Sequence, residues 1–393
     1  MIPAPTPRSD ACPLCGGADL RGILELLGVP TQDGVLWRTR AEALESPLGD
    51  IRLVLCERCS FVWNELYDAG RVGFKGYDVS LQHSPAFRAF VAGLAERLIE
   101  RYGLRHRTVL DVGCGRGHFL EEICSRGPNA GIGVDPSIES HRSEDPDITF
   151  LGRAYDEELL DLAADLYSCR HVIDVLGDQR EPVRLLGEAV DRAGGRALAY
   201  VEVPNALATF DGLVVWNLVY EHRAWFVQDS LAYLFSVEGF EPLDVATCWQ
   251  GEYLGIEGRR SSGGRALPVP AAESGVGEAL DRFAAGFEDV RARWQSRLDE
   301  LRASGRRAVV WGAGARGIAF VSLLNATDVV PYLVDVNPKR QALYLPRSAH
   351  RVEPPEHLLE EPPDLVVISN PTYADEIAAQ ARELGVRAEL AAL

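Results

Sequence analysis

The chain has 393 residues, of which 47% are apolar and 25% charged, and a net charge of −18. That length exceeds one typical core and predicts two or three domains, while the acidic balance excludes a general affinity for nucleic-acid backbones or anionic membranes. No apolar run approaches the roughly 20 residues of a membrane span, and the first residues hold no apolar signal core, so the expectation is a cytoplasmic protein.

The first module, residues 1–68, carries Cys12-x-x-Cys15 and Cys56-x-x-Cys59. Two such knuckles supply four thiolates for a tetrahedral structural zinc, and with every position a Cys no open coordination site remains for catalysis. Core cysteines would not repeat the spacing by coincidence, and the remaining four, Cys114, Cys124, Cys169 and Cys248, are scattered like reduced thiols. The segments IRLVL and FVWNEL around the second knuckle read as strands. A polar and aromatic stretch then holds Tyr77 and His83, either substrate contacts in a covering loop or members of a surface turn. Ser84 and Pro85 fit the cap and first position of an amphipathic helix that runs to about Tyr102.

Residues 69–262 alternate strands with helices, the pattern of a doubly wound α/β sheet. The strand TVLDV runs into Asp111, Gly113, Gly115 and Gly117 and then a helix, so backbone N–H groups and a positive helix end can approach a ligand. A dinucleotide turn of the form G-x-G-x-x-G would place its third glycine at 118, where His118 stands. D-x-G-x-G-x-G resembles motif I of the class I S-adenosylmethionine (SAM) methyltransferases. Later strands read AGIGVD, ITFLG, ADLYSCRHVI and RALAYVEVP, and a closing pair, EPLDVAT and YLGIEG, is what a seven-stranded methyltransferase sheet would end with. Asp135 ends the second strand, where a carboxylate meets the ribose hydroxyls of a bound nucleoside. Tyr155 and Asp156 are adenine neighbours in this reading, and His171, at the fourth strand's end, faces the methyl donor. In a long insertion, residues 205–226, Tyr220, Glu221 and His222 stand among Trp216, Trp225 and Phe226; burial there shifts pKa values toward use near neutral pH.

Residues 259–275 have the composition of a linker. From 275 to 393 a long helical pattern leads into Gly312-Ala-Gly314-Ala-Arg-Gly317, with Asp335 and Asn370 at later strand ends: a second Rossmann-like unit. Its turn alone leaves three readings open, namely NAD, the diphosphate of a nucleotide substrate, or packing without a ligand. Lys339 and Arg340 nearby suit phosphates.

The paired Cys-x-x-Cys knuckles, motif I, the Y-E-H loop and the terminal WGAGARG, LVDVNPKR and PDLVVISN segments, in this order, resemble the bacterial C-methyltransferases of nucleotide-linked 4-keto deoxysugars. The resemblance spans essentially the whole chain and implies a structural zinc, SAM bound in the middle domain through Asp111, Gly113, Gly115 and Asp135, and a nucleotide sugar between the middle and terminal domains. It carries the family's catalytic loop, usually Y-H-E-H, onto Val219, Tyr220, Glu221 and His222, so the chain departs from the pattern at the first two positions. The implied chemistry is removal of a proton beside a ketone and attack of the resulting enolate on the methyl sulfonium. His222 is then the base, Glu221 its orienting partner, and Tyr220, Tyr77 or His171 a donor to the oxyanion. N- or O-methylation of a sugar or specialised metabolite, a nucleotide-dependent oxidoreductase built on the terminal turn, and a catalytically silent scaffold are the competing readings. Three domains can enclose such a site within one chain, which allows a monomer.

Overall fold

A computed structural model describes residues 5–74, 77, 80–138, 142–261 and 275–393. The middle of the predicted linker, 262–274, and Lys75, Gly76, Asp78 and Val79 of the predicted covering loop lie outside the described residues.

The amino-terminal module is an antiparallel sheet of β1 (Leu20–Pro30), β2 (Leu48–Cys56) and β3 (Val62–Asn64), with α1 (Arg40–Glu45) between the first two strands. Both strand segments read from the sequence fall in it, whereas β1 was not legible because LRGILELLGVP lacks period-two alternation. A fourth strand comes from far along the chain. Ala224–Trp225, two residues past His222, pairs with Val62 and Trp63.

Helix α2 (Pro85–Tyr102) follows, its first turn capped by the Ser84 hydroxyl, which accepts from Phe87 N at 3.2 Å, and its end closed by Gly103 at φ 66°. Such a cap contributes about 1 kcal/mol, and the helix buries Val91, Leu94 and Leu98. The next domain holds β4 (Thr108–Val112), α3 (His118–Arg126), β5 (Ala130–Val134), β6 (Ile148–Leu151), β7 (Leu166–Arg170), α4 (Arg180–Arg192), β8 (Leu198–Pro204) and α5 (Ala206–Asp211). After the two-residue strand β9 (Ala224–Trp225) come α6 (Gln228–Val237), β10 (Phe240–Cys248) and β11 (Tyr253–Arg260). The sheet order is β6-β5-β4-β7-β8-β11-β10, five parallel strands ending in an antiparallel pair. The order reverses beside β4, and ligands of open α/β sheets bind at such a switch point.

The terminal domain begins with α7 (Val276–Ala303) and continues through β12 (Ala308–Trp311), α8 (Ala315–Leu323), β13 (Tyr332–Val334), β14 (Arg351–Glu353), β15 (Leu365–Ile368), α9 (Ala374–Leu384) and β16 (Glu389–Ala392). Its five strands are all parallel, in the order β14-β13-β12-β15-β16. One buried cluster joins Ile51 and Leu53 of the first module, Trp216 of the insertion, Phe283 of α7 and Val310 and Phe320 of the terminal domain. No helix among the described residues is long and apolar enough to cross a membrane.

Candidate functional site

The two glycine turns are built alike. Gly113 N donates to Val134 O at 2.7 Å and Gly312 N to Val334 O at 2.8 Å. Each turn is then tied to the acid that ends the neighbouring strand: Gly115 N donates to Asp135 Oδ2 and Ala313 N to Asp335 Oδ2, both at 2.8 Å. Gly113 (φ 69°), Gly117 (φ 78°) and Gly312 (φ 108°) occupy left-handed backbone that side chains rarely adopt. A Cβ on Gly113 would also lie 2.1 Å from Val172 Cγ2, and one on Gly117 2.3 Å from Phe150 Cζ.

Both turns open into a single cavity of about 1640 Å³ that is lined from all three parts of the chain. Binding pockets for one ligand run to roughly 1,000 Å³, so this space accommodates two molecules. Asp111, Gly113, Asp135 and Tyr155 line one end, and Gly312, Gly314, Arg316 and Arg340 line the other. Tyr77, His171, Glu221 and His222 line it as well. His83 and Asp156 are on its wall too.

Asp111 is buried and accepts from Ser168 Oγ at 2.6 Å. Burial pushes its carboxyl up to about 6, against the pull of that hydrogen bond. His171 sits at φ 56°, an unusual conformation for a side-chain-bearing residue, fixed because its N–H donates to Glu202 O (2.7 Å) while Nε2 meets Glu202 Oε1 (2.9 Å). The Glu202 carboxylate is fully buried and also receives Arg170 (Nε at 3.1 Å and a terminal nitrogen at 2.7 Å) and the Tyr200 hydroxyl (2.8 Å). Burial raises its pKa, but Arg170 and His171 more than offset this and hold it below the usual carboxylate range.

The Y-E-H loop is divided by the fold. Tyr220 turns away from the cavity: its hydroxyl accepts from Asp68 N at 2.8 Å and its ring stacks on Tyr67 at 5.5 Å. Expected as an oxyanion donor, it instead fills the space against Gly49, where a Cβ would meet its ring. Val219 is buried and does not line the large cavity either, so both departures from the Y-H-E-H pattern fall outside it. Glu221 does not take up the expected place beside His222. Its Oε1 accepts Asp33 N (2.6 Å) and Gly34 N (3.0 Å), and its Oε2 accepts the Tyr77 hydroxyl (3.1 Å). The carboxylate facing His222 is Asp174, 3.8 Å from Nε2.

Sequence reading missed Asp174, Glu202, Asp33 and Arg316. Glu202 left a signal, a single acid inside the apolar strand RALAYVEVP. Arg316, in the terminal glycine turn, reaches Asn217 (2.6 Å), Glu252 (3.1 Å) and Asn370 and thereby joins that turn to the middle domain. In the first module the Sγ atoms of Cys12, Cys15, Cys56 and Cys59 all lie within 4.8 Å of one another, with Cys12–Cys59 at 3.7 Å and Cys15–Cys56 at 3.5 Å. Zinc–sulfur bonds of about 2.3 Å place the sulfurs of a tetrahedron roughly 3.8 Å apart, so the donor set fits that ion.

A family model described as a C-methyltransferase C-terminal domain matches residues 272–388, and one described as a methyltransferase domain matches residues 87–245. The chain is a SAM-dependent methyltransferase whose last third is similar to C-methyltransferase C-terminal domains. No curated protein matches it. Similar solved structures include the 1,6-didemethyltoxoflavin-N1-methyltransferase of Burkholderia thailandensis with S-adenosylhomocysteine, 15% identical, covering 45% of this chain and 80% of that one at a TM-score of 0.33. CalO1, a methyltransferase of calicheamicin biosynthesis, is 21% identical and covers 45% of this chain and 54% of its own at 0.35. A SAM-dependent methyltransferase of Aquifex aeolicus is 16% identical and covers 46% and 95% at 0.34.

Proposed function

We propose that the chain methylates a carbon of a nucleotide-linked keto-deoxysugar, with one structural zinc held by Cys12, Cys15, Cys56 and Cys59. The observation that carries this reading is the single cavity that both glycine turns enter, with His222 and Tyr77 on its wall. SAM supplies an electrophilic methyl group. Asp135 takes the ribose hydroxyls, Gly113, Gly115 and Gly117 let the backbone close on the ligand, Tyr155 borders the adenine, and Asp111 takes the methionine ammonium. At the far end, the N–H groups that open α8, together with Arg340, face the diphosphate of the sugar nucleotide; a second nucleoside site there leaves no need for NAD.

His222 removes the proton from the carbon beside the ketone, and Asp174 supports the imidazolium that forms. Tyr77 and His171 donate to the oxygen as its charge grows. The C–H electron pair becomes the new C–C bond as the methyl leaves sulfur, the ketone reforms, and the proton on His222 returns to solvent. The zinc site lies in the module that supplies Tyr77's neighbours Asp33 and Gly34, so its role is to shape that wall.

The test is product NMR after incubation with methyl-labelled SAM and a panel of nucleotide 4-keto deoxysugars. A new C–CH3 resonance supports the proposal; an O–CH3 or N–CH3 product, or turnover only with nicotinamide cofactors, refutes it.

A further inference from the structure

Glu221 is surrounded in a way that is unusual for a carboxylate. It is 3% exposed. Oε1 is occupied by two backbone N–H donors, from Asp33 and Gly34, and Oε2 meets the Tyr77 hydroxyl. The Asp33 side chain, itself buried, meets the Glu221 carboxyl side chain to side chain, and Asp33 Oδ1 has no donor of its own. Among the described residues, the other ionisable groups around the pair are Tyr77, Tyr67, Asp174 and His222, and the neighbouring cation Arg223 donates to Asn64 O at 2.7 Å. Two carboxyl groups in contact in a buried site cannot both ionise cheaply.

We propose that Asp33 is a positioning residue that holds Glu221 in its protonated form, so that Glu221 Oε2–H donates to the Tyr77 oxygen and turns the Tyr77 hydroxyl outward as a donor to the substrate oxyanion. The proton has one place to sit. Oε1 already accepts two N–H groups, which leaves Oε2, the oxygen 3.1 Å from Tyr77. Were Glu221 ionised, the phenol would spend its single proton on Oε2 and present only lone pairs to the cavity. With Glu221 protonated, the same contact reverses direction and the phenolic proton is released. Burial first, and Asp33 next, raise the Glu221 pKa well above the carboxylate range, against two backbone N–H groups that lower it. Burial keeps Tyr77 protonated far above its ordinary value as well. The Tyr77 step rests on the enolate reading above, whereas the protonation of Glu221 does not.

Two measurements without turnover judge the acid. Infrared spectra of the protein with 13C-labelled glutamate at about pH 8 should show a protonated-carboxyl C=O band that Glu221→Gln removes; no such band overturns the proposal. The folded state of the wild type holds a proton that the unfolded chain has lost at this pH, so its stability falls as pH rises above the ordinary Glu range. Asp33→Asn should therefore flatten the decline of the melting temperature between about pH 6 and pH 9, and a decline as steep as in the wild type overturns the proposal. With a keto-sugar that the wild type methylates, Asp33→Asn should lower kcat roughly tenfold or more with KM for SAM unchanged, less than the 10²–10³ lost with a whole oxyanion donor. An unchanged kcat overturns the Tyr77 step. If the wild type methylates no keto-sugar, the enolate reading fails while the infrared and melting results still decide whether Glu221 is protonated.

Discussion

Replacing Glu202 by Gln tests how the cavity-lining end of the middle sheet is held. The substitution keeps the shape and still offers one oxygen to Arg170 and His171, but it removes the charge that faces Arg170 in a fully buried site. The Arg170 side chain is only 11% exposed, and although burial lowers its pKa, Glu202 lifts it above the ordinary guanidinium range, so it cannot shed its proton to escape. Leaving such a charge uncompensated costs about 3 kcal/mol, the lower end of what breaking a buried pair costs, because the hydrogen bonds largely survive. At roughly 2–4 °C per kcal/mol for a domain of this size, the melting temperature should fall by about 6–12 °C. The sign with pH follows from the depressed pKa of Glu202. Its contribution is present above the unfolded value of about 4.5 and is lost only as pH falls through the lower folded value, so the loss should be constant between about pH 6 and pH 8. Calorimetry of Glu202→Gln measures that fall, and Glu202→Leu, Arg170→Leu and the double variant Glu202→Leu/Arg170→Leu measure the coupling. The double variant should be less destabilised than the sum of the singles by about 2 kcal/mol or more, since a neutral apolar pair needs no compensation. Simple additivity would refute the reasoning.

Three further outcomes are expected. Gly113→Ala should abolish SAM binding, measured by titration calorimetry, because the left-handed backbone costs roughly 1–2 kcal/mol and the new methyl would lie 2.1 Å from Val172. With its carboxyl at about 6, Asp111 gains charge as pH rises from 5 to 7, so SAM affinity should climb by up to about tenfold per unit below that value and level off above it, and Asp111→Asn should remove the dependence. Prolonged chelation should release one zinc per chain by elemental analysis and lower the melting temperature, and Cys56→Ser should retain less than a full equivalent.

The organisation of this fold was largely legible. Motif I, the run of strands and the closing pair identified the seven-stranded sheet because each strand is short, β-branched and punctuated by Gly or Asp, so period and turn chemistry agree. The terminal unit was visible through the same signals, apart from β14 and β16, whose three and four residues are too short to stand out. What could not be read was direction. In V-Y-E-H four consecutive residues look equivalent, yet the chain's turn sends Tyr220 against Tyr67 and Glu221 toward a loop nearly two hundred residues earlier. Asp33 lies in TQDGVL, an ordinary turn sequence, and nothing local distinguishes it. Asp174 and Arg316 acquire meaning only from partners brought together by the sheet order and by packing between domains, a long-range property that spacing does not encode.

The two-residue strand Ala224–Trp225 ties the first module to the segment that carries His222. Asn64 N donates to Arg223 O, and Arg223 N and Ala224 N donate to Asp174 O, so the backbone just after the histidine is gripped on one side by the cysteine-bearing sheet and on the other by Asp174 in the loop that follows β7. Anyone grafting this front module onto a relative to change its substrate would therefore transplant half of a splint. Residues 219–226 would have to travel with it, and in any lineage where fronts have been exchanged by recombination the crossover points should fall outside that pair of segments.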